Sequence, residues 1–123
     1  MATTPVKKKK ISTQPAKAKG RNLQKWVVAE LLKRYPQLTD MDLRSCPMGS
    51  HGADIVMSQL AQNEIPANFE CKSLAKVAVY GYYEQAKSHG KHEPIVIIKQ
   101  NGCAPLAIID ATVLFDMMAG NDE

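Results

Sequence analysis

A chain of 123 residues has room for one compact domain, and a hydrophobic fraction of 45% is too high for wholesale disorder. The net charge of +4 is unevenly spread: eight of the sixteen basic residues (Lys7, Lys8, Lys9, Lys10, Lys17, Lys19, Arg21, Lys25) precede all twelve acidic ones, so residues 1–25 carry +8 and the remainder −4. No apolar run reaches the roughly 18 residues of a membrane span, no apolar stretch follows the N-terminal charges as in a secretory signal, and Cys46, Cys71 and Cys103 form no CxxC pair, which argues against a disulfide framework or structural zinc and for a reducing cytoplasm.

In chain order, residues 1–19 are rich in Lys, Pro, Thr, Ser and Ala without apolar periodicity, and are read as a disordered basic tail on a folded domain of residues 20–123. Such an arm suits contact with a polyanion; a solubilising tail is the alternative. From Asn22 to about Tyr35 the residues Leu23, Trp26, Val27, Leu31 and Leu32 recur at helical spacing, and Pro36 ends the run. A polar connection, 37–42, leads to a short strand at Leu43–Cys46 and a loop containing Pro47, Gly49 and Gly52. Strands are predicted at Ala53–Met57 and, after a connection with Pro66, at Asn68–Ser73, these two pairing antiparallel.

A second amphipathic helix is expected from about Lys76 to Ser88, carrying Val79, Tyr80, Tyr83 and Ala86, with Gly90 placed to cap it. The tyrosines Tyr80, Tyr82 and Tyr83 read as helix packing with one outlier. Ile95-Val96-Ile97-Ile98 is apolar on both faces, as in a buried central strand. Asn101-Gly102 signals a turn before a last strand at Leu106–Ile109, and Ala111–Met118 forms a C-terminal helix. The order α-β-β-β-α-β-β-α implies an α/β fold, a mixed sheet flanked by helices.

The chemistry concentrates in Gly52-Ala53-Asp54 and, sixteen residues after Asp54, Glu70-Cys71-Lys72. Strand alternation sends Phe69 and Cys71 to one face and Glu70 and Lys72 to the other. Asp54 opens the neighbouring strand, where it can meet Glu70. Two converging carboxylates repel unless a cation lies between them, and Mg²⁺ takes hard oxygen ligands while keeping several waters beside one or two carboxylates. Asp54, Glu70, the backbone carbonyl of Cys71 and a phosphate oxygen suit that demand, with Mn²⁺ as a substitute ion. The metal lowers the pKa of a bound water and neutralises charge on the phosphorane; Lys72 adds positive charge beside the water or phosphate. As a bare pattern, Asp with a distant Glu-x-Lys is common on solvated surfaces; the Gly-rich loop before the Asp, the aromatic strand that the Glu-x-Lys ends and the following helix with Gln and aromatics raise it above that background.

Over roughly Lys19 to Asp110 the chain resembles the PD-(D/E)xK nuclease superfamily and, within it, archaeal-type Holliday-junction resolvases and small phage endonucleases. The residues that carry the likeness are Lys19-Gly20-Arg21, Arg44-Ser45, Gly52-Ala53-Asp54, Glu70-Cys71-Lys72 and Glu84-Gln85-Ala86. The resemblance implies a restriction-endonuclease-like core and a metal-dependent phosphodiester hydrolase, with Asp54 and Glu70 as ligands and Lys72 as base or electrostatic partner. Ala53 stands where the family name has Pro. Resolvases of this type carry a Glu in the first helix; Gln24 occupies that offset, and Glu30 is six residues on, about 120° around the helix, so one or the other, not both, completes the site.

Gln85 reaches back towards Lys72 or a phosphate, or is a polar residue on a solvated face. Lys19, Arg21, Arg44, Ser45 and the loop residue His51 are the DNA-binding candidates; Arg44 has surface pairing with Asp42 as its alternative. The implied protein is a cytoplasmic homodimer of a bacterial or archaeal host, or virus-encoded, cutting four-way or branched DNA and touching no membrane, with Val113 to Met118 offering apolar surface for the second copy. A nicking or restriction-like nuclease of the same fold, or a catalytically silent DNA-binding protein, are the competing readings.

Overall fold

The computed structural model describes the backbone of residues 3–47 and 54–120, with side chains from residue 18 onward in those ranges. The chain divides into two compact units, Met1–Leu74 and Ala75–Glu123, where composition predicts one folded domain from residue 20. The first holds α1 (Thr3–Arg34), β1 (Leu43–Ser45), β2 (Ile55–Met57) and α2 (Gln59–Glu64); the second holds α3 (Val79–Lys87), β3 (Val96–Ile98), β4 (Leu106–Ile108) and α4 (Ala111–Ala119). The fold is thus mixed α/β. Among the described residues its strands form two separate two-stranded antiparallel sheets, β1-β2 and β3-β4, instead of the single mixed sheet expected.

The helix α1 starts at Thr3, far ahead of the apolar periodicity at Asn22, and its backbone includes the stretch read as a disordered tail. Lys and Ala are good helix formers, and a nucleated helix gains one hydrogen bond for each residue it adds. Its end follows the expectation. Pro36 disfavours helical backbone at Tyr35, and the Tyr35 N–H makes a final bond to the Leu31 carbonyl at 3.0 Å. Val27, Leu31 and Tyr35, four residues apart, are buried with Leu38, Leu43, Ile55, Ala61 and Ile65, and these make the core of the first unit. Trp26, placed by periodicity in the same apolar stripe, instead stands 40% exposed.

The strand β2 pairs with β1, Leu43 opposite Met57 and Ser45 opposite Ile55, and not with residues 68–73 as predicted. A clasp at the open end of this ladder explains the choice. The Ser58 N–H donates to the Asp42 carbonyl at 2.9 Å, and the Ser58 hydroxyl donates to Asp42 Oδ1 at 2.7 Å. Asp42 Oδ2 also accepts the Thr39 N–H at 2.9 Å. Ser58 is in turn the N-cap of α2, its Oγ accepting the Ala61 N–H. The sequence reads α2 as part of a connection, because six residues are too few for a periodic apolar pattern to emerge.

The Thr39 amide and the Ser58 hydroxyl hold the Asp42 carboxyl below the ordinary Asp range. A group whose pKa is depressed on folding contributes stability above its unfolded pKa and loses it as pH falls through the folded value. Asp42→Asn is therefore less stable than the parent at pH 7, and the gap closes below about pH 4. Urea midpoints measured across that range check this; a gap independent of pH overturns it.

In the second unit α3 begins at Val79, three residues later than predicted, and closes at Ser88, whose N–H reaches the carbonyls of Glu84 and Gln85; Gly90 is not the cap. Tyr80 and Tyr82 are exposed and only Tyr83 is half-buried, so the tyrosines do not form the expected packing stripe. The run at Ile95–Ile98 is likewise not a buried central strand. Among the described residues the strand β3 has one neighbour, β4, and Ile97 remains 66% exposed, with Ile95 and Leu106 also exposed. A two-stranded sheet covers few side chains from its flanks, whatever their apolarity. The turn between the strands forms as read, with Gly102 at φ 79°, a left-handed conformation that suits glycine. The Asp110 carboxylate caps α4 through the N–H groups of Thr112 and Val113, and Gly120 at φ 78° ends it.

Candidate functional site

Residues 67–74 carry the second half of the motif. They are not a ladder strand, as Asn68–Ser73 was expected to be, yet the chain keeps an extended alternation: Ala67, Phe69, Cys71 and Ser73 are half-buried, while Asn68, Glu70, Lys72 and Leu74 are exposed. The two-residue period predicted from Phe69-Glu70-Cys71-Lys72 therefore holds although the segment joins no strand ladder. Glu70 and Lys72 share the exposed side, with Lys72 Nζ 3.4 Å from Glu70 Oε2 and the two side chains 71% and 66% exposed. An ion pair so exposed contributes at most about 1 kcal/mol, so either partner is free to turn to another ligand.

Three backbone-level contacts bind Asp54 to its surroundings. Its carbonyl accepts the Cys46 N–H at 2.7 Å, continuing the β1-β2 ladder by one step, and its own N–H donates to the Phe69 carbonyl at 3.4 Å. Its carboxylate oxygen Oδ2 accepts the N–H of Cys71 at 2.5 Å. This last bond joins the two halves of the motif directly: residue 71 lies between Glu70 and Lys72, and its amide is held by the Asp54 side chain. Sequence reasoning did not find this donor, and no signal could have shown it, because every residue other than proline has such an amide. The Cys71 thiol is pushed above its ordinary pKa, first by burial and then by the charges of Asp54 and Glu70. Both acids thus act electrostatically on one side chain, and the thiol remains protonated, leaving the Cys71 carbonyl as its oxygen donor.

The donor set can be weighed against a divalent ion. Among the described residues no three His, Cys, Asp or Glu side chains gather as a cage. Asp54, Glu70 and a backbone carbonyl are a smaller set, of the kind Mg²⁺ accepts when waters and a phosphate complete its octahedron. With Oδ2 engaged by the amide, Oδ1 is the Asp54 oxygen available to such an ion, and it would come from a side chain already fixed in direction.

The remaining candidates are dispersed. Lys19, Arg21, Gln24 and Glu30 stand on α1, Lys19 exposed and the other three half-buried. Glu30 is engaged: Arg34 and Lys33 each approach it at 2.9 Å and hold its carboxyl below the ordinary range. A metal drawing on Glu30 would have to displace two cations, whereas Gln24 carries no charge to be displaced. Arg44 is exposed on β1 and Ser45 is half-buried beside it; the Asp42 carboxylate, the alternative partner for Arg44, is engaged by Thr39 and Ser58. Gln85 is exposed on α3, in the second unit. His51, with Gly52 and Ala53, lies outside the described residues. No helix among the described residues is long and apolar enough to cross a membrane.

Comparison with family models, with curated proteins and with solved structures finds no match to this chain.

Proposed function

We propose that the chain is a Mg²⁺-dependent DNA endonuclease of the PD-(D/E)xK type, with a restriction-endonuclease-like core, that hydrolyses phosphodiester bonds in branched DNA, four-way junctions above all. The observation that carries this reading is the hydrogen bond from the Cys71 N–H to Asp54 Oδ2. It couples an aspartate to a Glu-x-Lys segment sixteen residues away in sequence, as a two-carboxylate metal site requires.

In this reading Asp54 and Glu70 hold the ion, with the Cys71 carbonyl as a further donor and Gln24 as a neutral partner from α1. When bound, the ion supplies an activated water and charge neutralisation at the phosphate. The chain's own work is positional. The Cys71 amide keeps Asp54 aimed, the alternation of residues 67–74 keeps Glu70 and Lys72 on one side, and the Lys72 ammonium leaves Glu70 to stabilise the water or the developing negative charge on phosphate. Lys19, Arg21, Arg44, Ser45 and His51 bind backbone phosphates. A homodimer would present two such sites to two strands of one junction.

Incubation of the protein with labelled four-way-junction DNA and with plasmid, in Mg²⁺ and in chelator, tests this. The expected result is paired, symmetric nicks in the junction with Mg²⁺ and none with chelator. Indiscriminate nicking of plasmid would move the reading to a nicking or restriction-like nuclease. A second reading, a DNA-binding protein without turnover, is favoured by one observation, the engagement of the Glu30 carboxylate by Arg34 and Lys33. Tight junction binding with no cleavage in Mg²⁺ or Mn²⁺ would establish it.

A further inference from the structure

The edge of a sheet presents a row of N–H and C=O groups that another strand can pair, and folded proteins guard such rows with charge, proline or cover. The two edges of the β3-β4 sheet are guarded unequally. Glu93 and Pro94 precede β3 and Lys99 follows it, whereas residues 100–109, which include the whole of β4, carry no charge. Among the described residues β4 pairs with β3 alone. Its first residue, Leu106, is 65% exposed, and Ala107 is exposed beside it. The second unit also has little interior of its own: among the described residues Phe115 is its one buried apolar side chain, against eight in the first unit.

An uncharged apolar edge selects an uncharged apolar strand, and β4 is itself such a strand. A two-fold axis at Ala107 lays β4 antiparallel to β4 of a second copy, with Ala107 opposite Ala107 and Leu106 opposite Ile108, so that all three strand residues are paired. Combined with the observed β3-β4 register, every row across the resulting four strands is apolar. One row runs Ile98, Leu106, then Ile108 and Val96 of the second copy; the next runs Ile97, Ala107, then Ala107 and Ile97. A slip of two residues sets Leu106 opposite Asp110 in one direction and Ala107 opposite Pro105, which has no N–H, in the other. Pro105 before the strand and the Asp110 cap of α4 after it confine the contact, so it closes on two copies. We infer that β4 is the self-association edge of this protein, joining two copies through one four-stranded antiparallel sheet. The nuclease reading asks for a homodimer, and the sequence offers Val113 to Met118 for it. On α4, however, Phe115 is buried and the large apolar side chains left exposed are Leu114 and Met117. The β4 pairing stands on the sheet alone and does not depend on that reading.

Sedimentation equilibrium of the full chain across micromolar concentrations tests this. The expected result is a dimer whose dissociation constant Leu106→Lys raises by about tenfold to a hundredfold. Leu106 is already exposed in the single chain, so circular dichroism should show the fold unchanged. Ile97→Lys, on a side chain that stays exposed in the paired sheet, should leave association as it was. Amide hydrogen exchange gives a second readout. Successive N–H groups of a strand point alternately to one neighbour and to the other, so a monomer protects alternate amides among Leu106, Ala107 and Ile108, and the dimer protects all three. A monomer throughout the range, a dimer that Leu106→Lys does not weaken, dissociation by Ile97→Lys alone, or alternating protection in the dimer would each overturn the inference. Protection of all three amides in a monomer would overturn it too, by putting another segment of the chain on this edge. A dimer that never cleaves in Mg²⁺ leaves the interface standing and removes only the nuclease reading; a monomer that cuts junctions does the reverse.

Discussion

Glu70→Ala is expected to abolish Mg²⁺-dependent cleavage, with a loss of at least 10²-fold in rate, while leaving junction binding within a few fold of the parent. The magnitude follows from what the residue does in the proposed site. Removing one of two carboxylates leaves the ion with a single charged ligand, and deleting one group that stabilises developing charge costs about 10²–10³ in rate. Glu70 is well exposed and pairs with Lys72, so the change disturbs no packing. Asp54 supplies the complementary case. Asp54→Asn keeps an oxygen able to accept the Cys71 amide, now at 2.5 Å from Oδ2, but removes the negative charge. If the aspartate is a metal ligand, Asp54→Asn is as inactive as Glu70→Ala yet folds normally. If it only ties residue 71 in place, Asp54→Asn cleaves at near-parental rate. Single-turnover cleavage of a junction, set beside binding in chelator, separates these outcomes; survival of activity in Glu70→Ala would remove the site assignment altogether.

The largest expected effect on stability is at Leu31. Its side chain is 0% exposed at the centre of the α1 stripe, among the core residues that α1, β1, β2 and α2 contribute. Leu31→Ala removes buried methylene and methyl groups and leaves a cavity, and changes of this kind cost about 3–5 kcal/mol. Against the roughly 5–15 kcal/mol that holds a small protein together, such a loss is severe. Urea unfolding followed by Trp26 emission reads the first unit selectively, because the single Trp lies in it. The midpoint should fall sharply with the slope unchanged. A loss under about 1 kcal/mol would mean that the site collapses to fill the space, or that α1 is not the spine of this core. Leu60, exposed on α2, is the matched control, with an expected change within about 0.5 kcal/mol on substitution by Ala.

The sequence by itself determined the features that depend on a few neighbouring residues. Pro36 fixed the end of α1, Asn101-Gly102 the turn before β4, and the boundaries of β1, β2 and α4 came within one or two residues of those read from the pattern. The alternation of Phe69, Glu70, Cys71 and Lys72 was also legible, since extended backbone sends successive side chains to opposite sides with or without a partner strand. Tertiary structure decided everything that needs a second segment. It paired β2 with β1 by way of the Asp42–Ser58 clasp, left Trp26 at the surface of a stripe that periodicity would bury, and left one side of an all-apolar strand open in the two-stranded β3-β4 sheet. It also placed the Cys71 amide on Asp54. Periodicity states which side of an element is apolar. Only the packed chain states whether anything lies against that side, because burial is a property of two surfaces and a sequence pattern describes one.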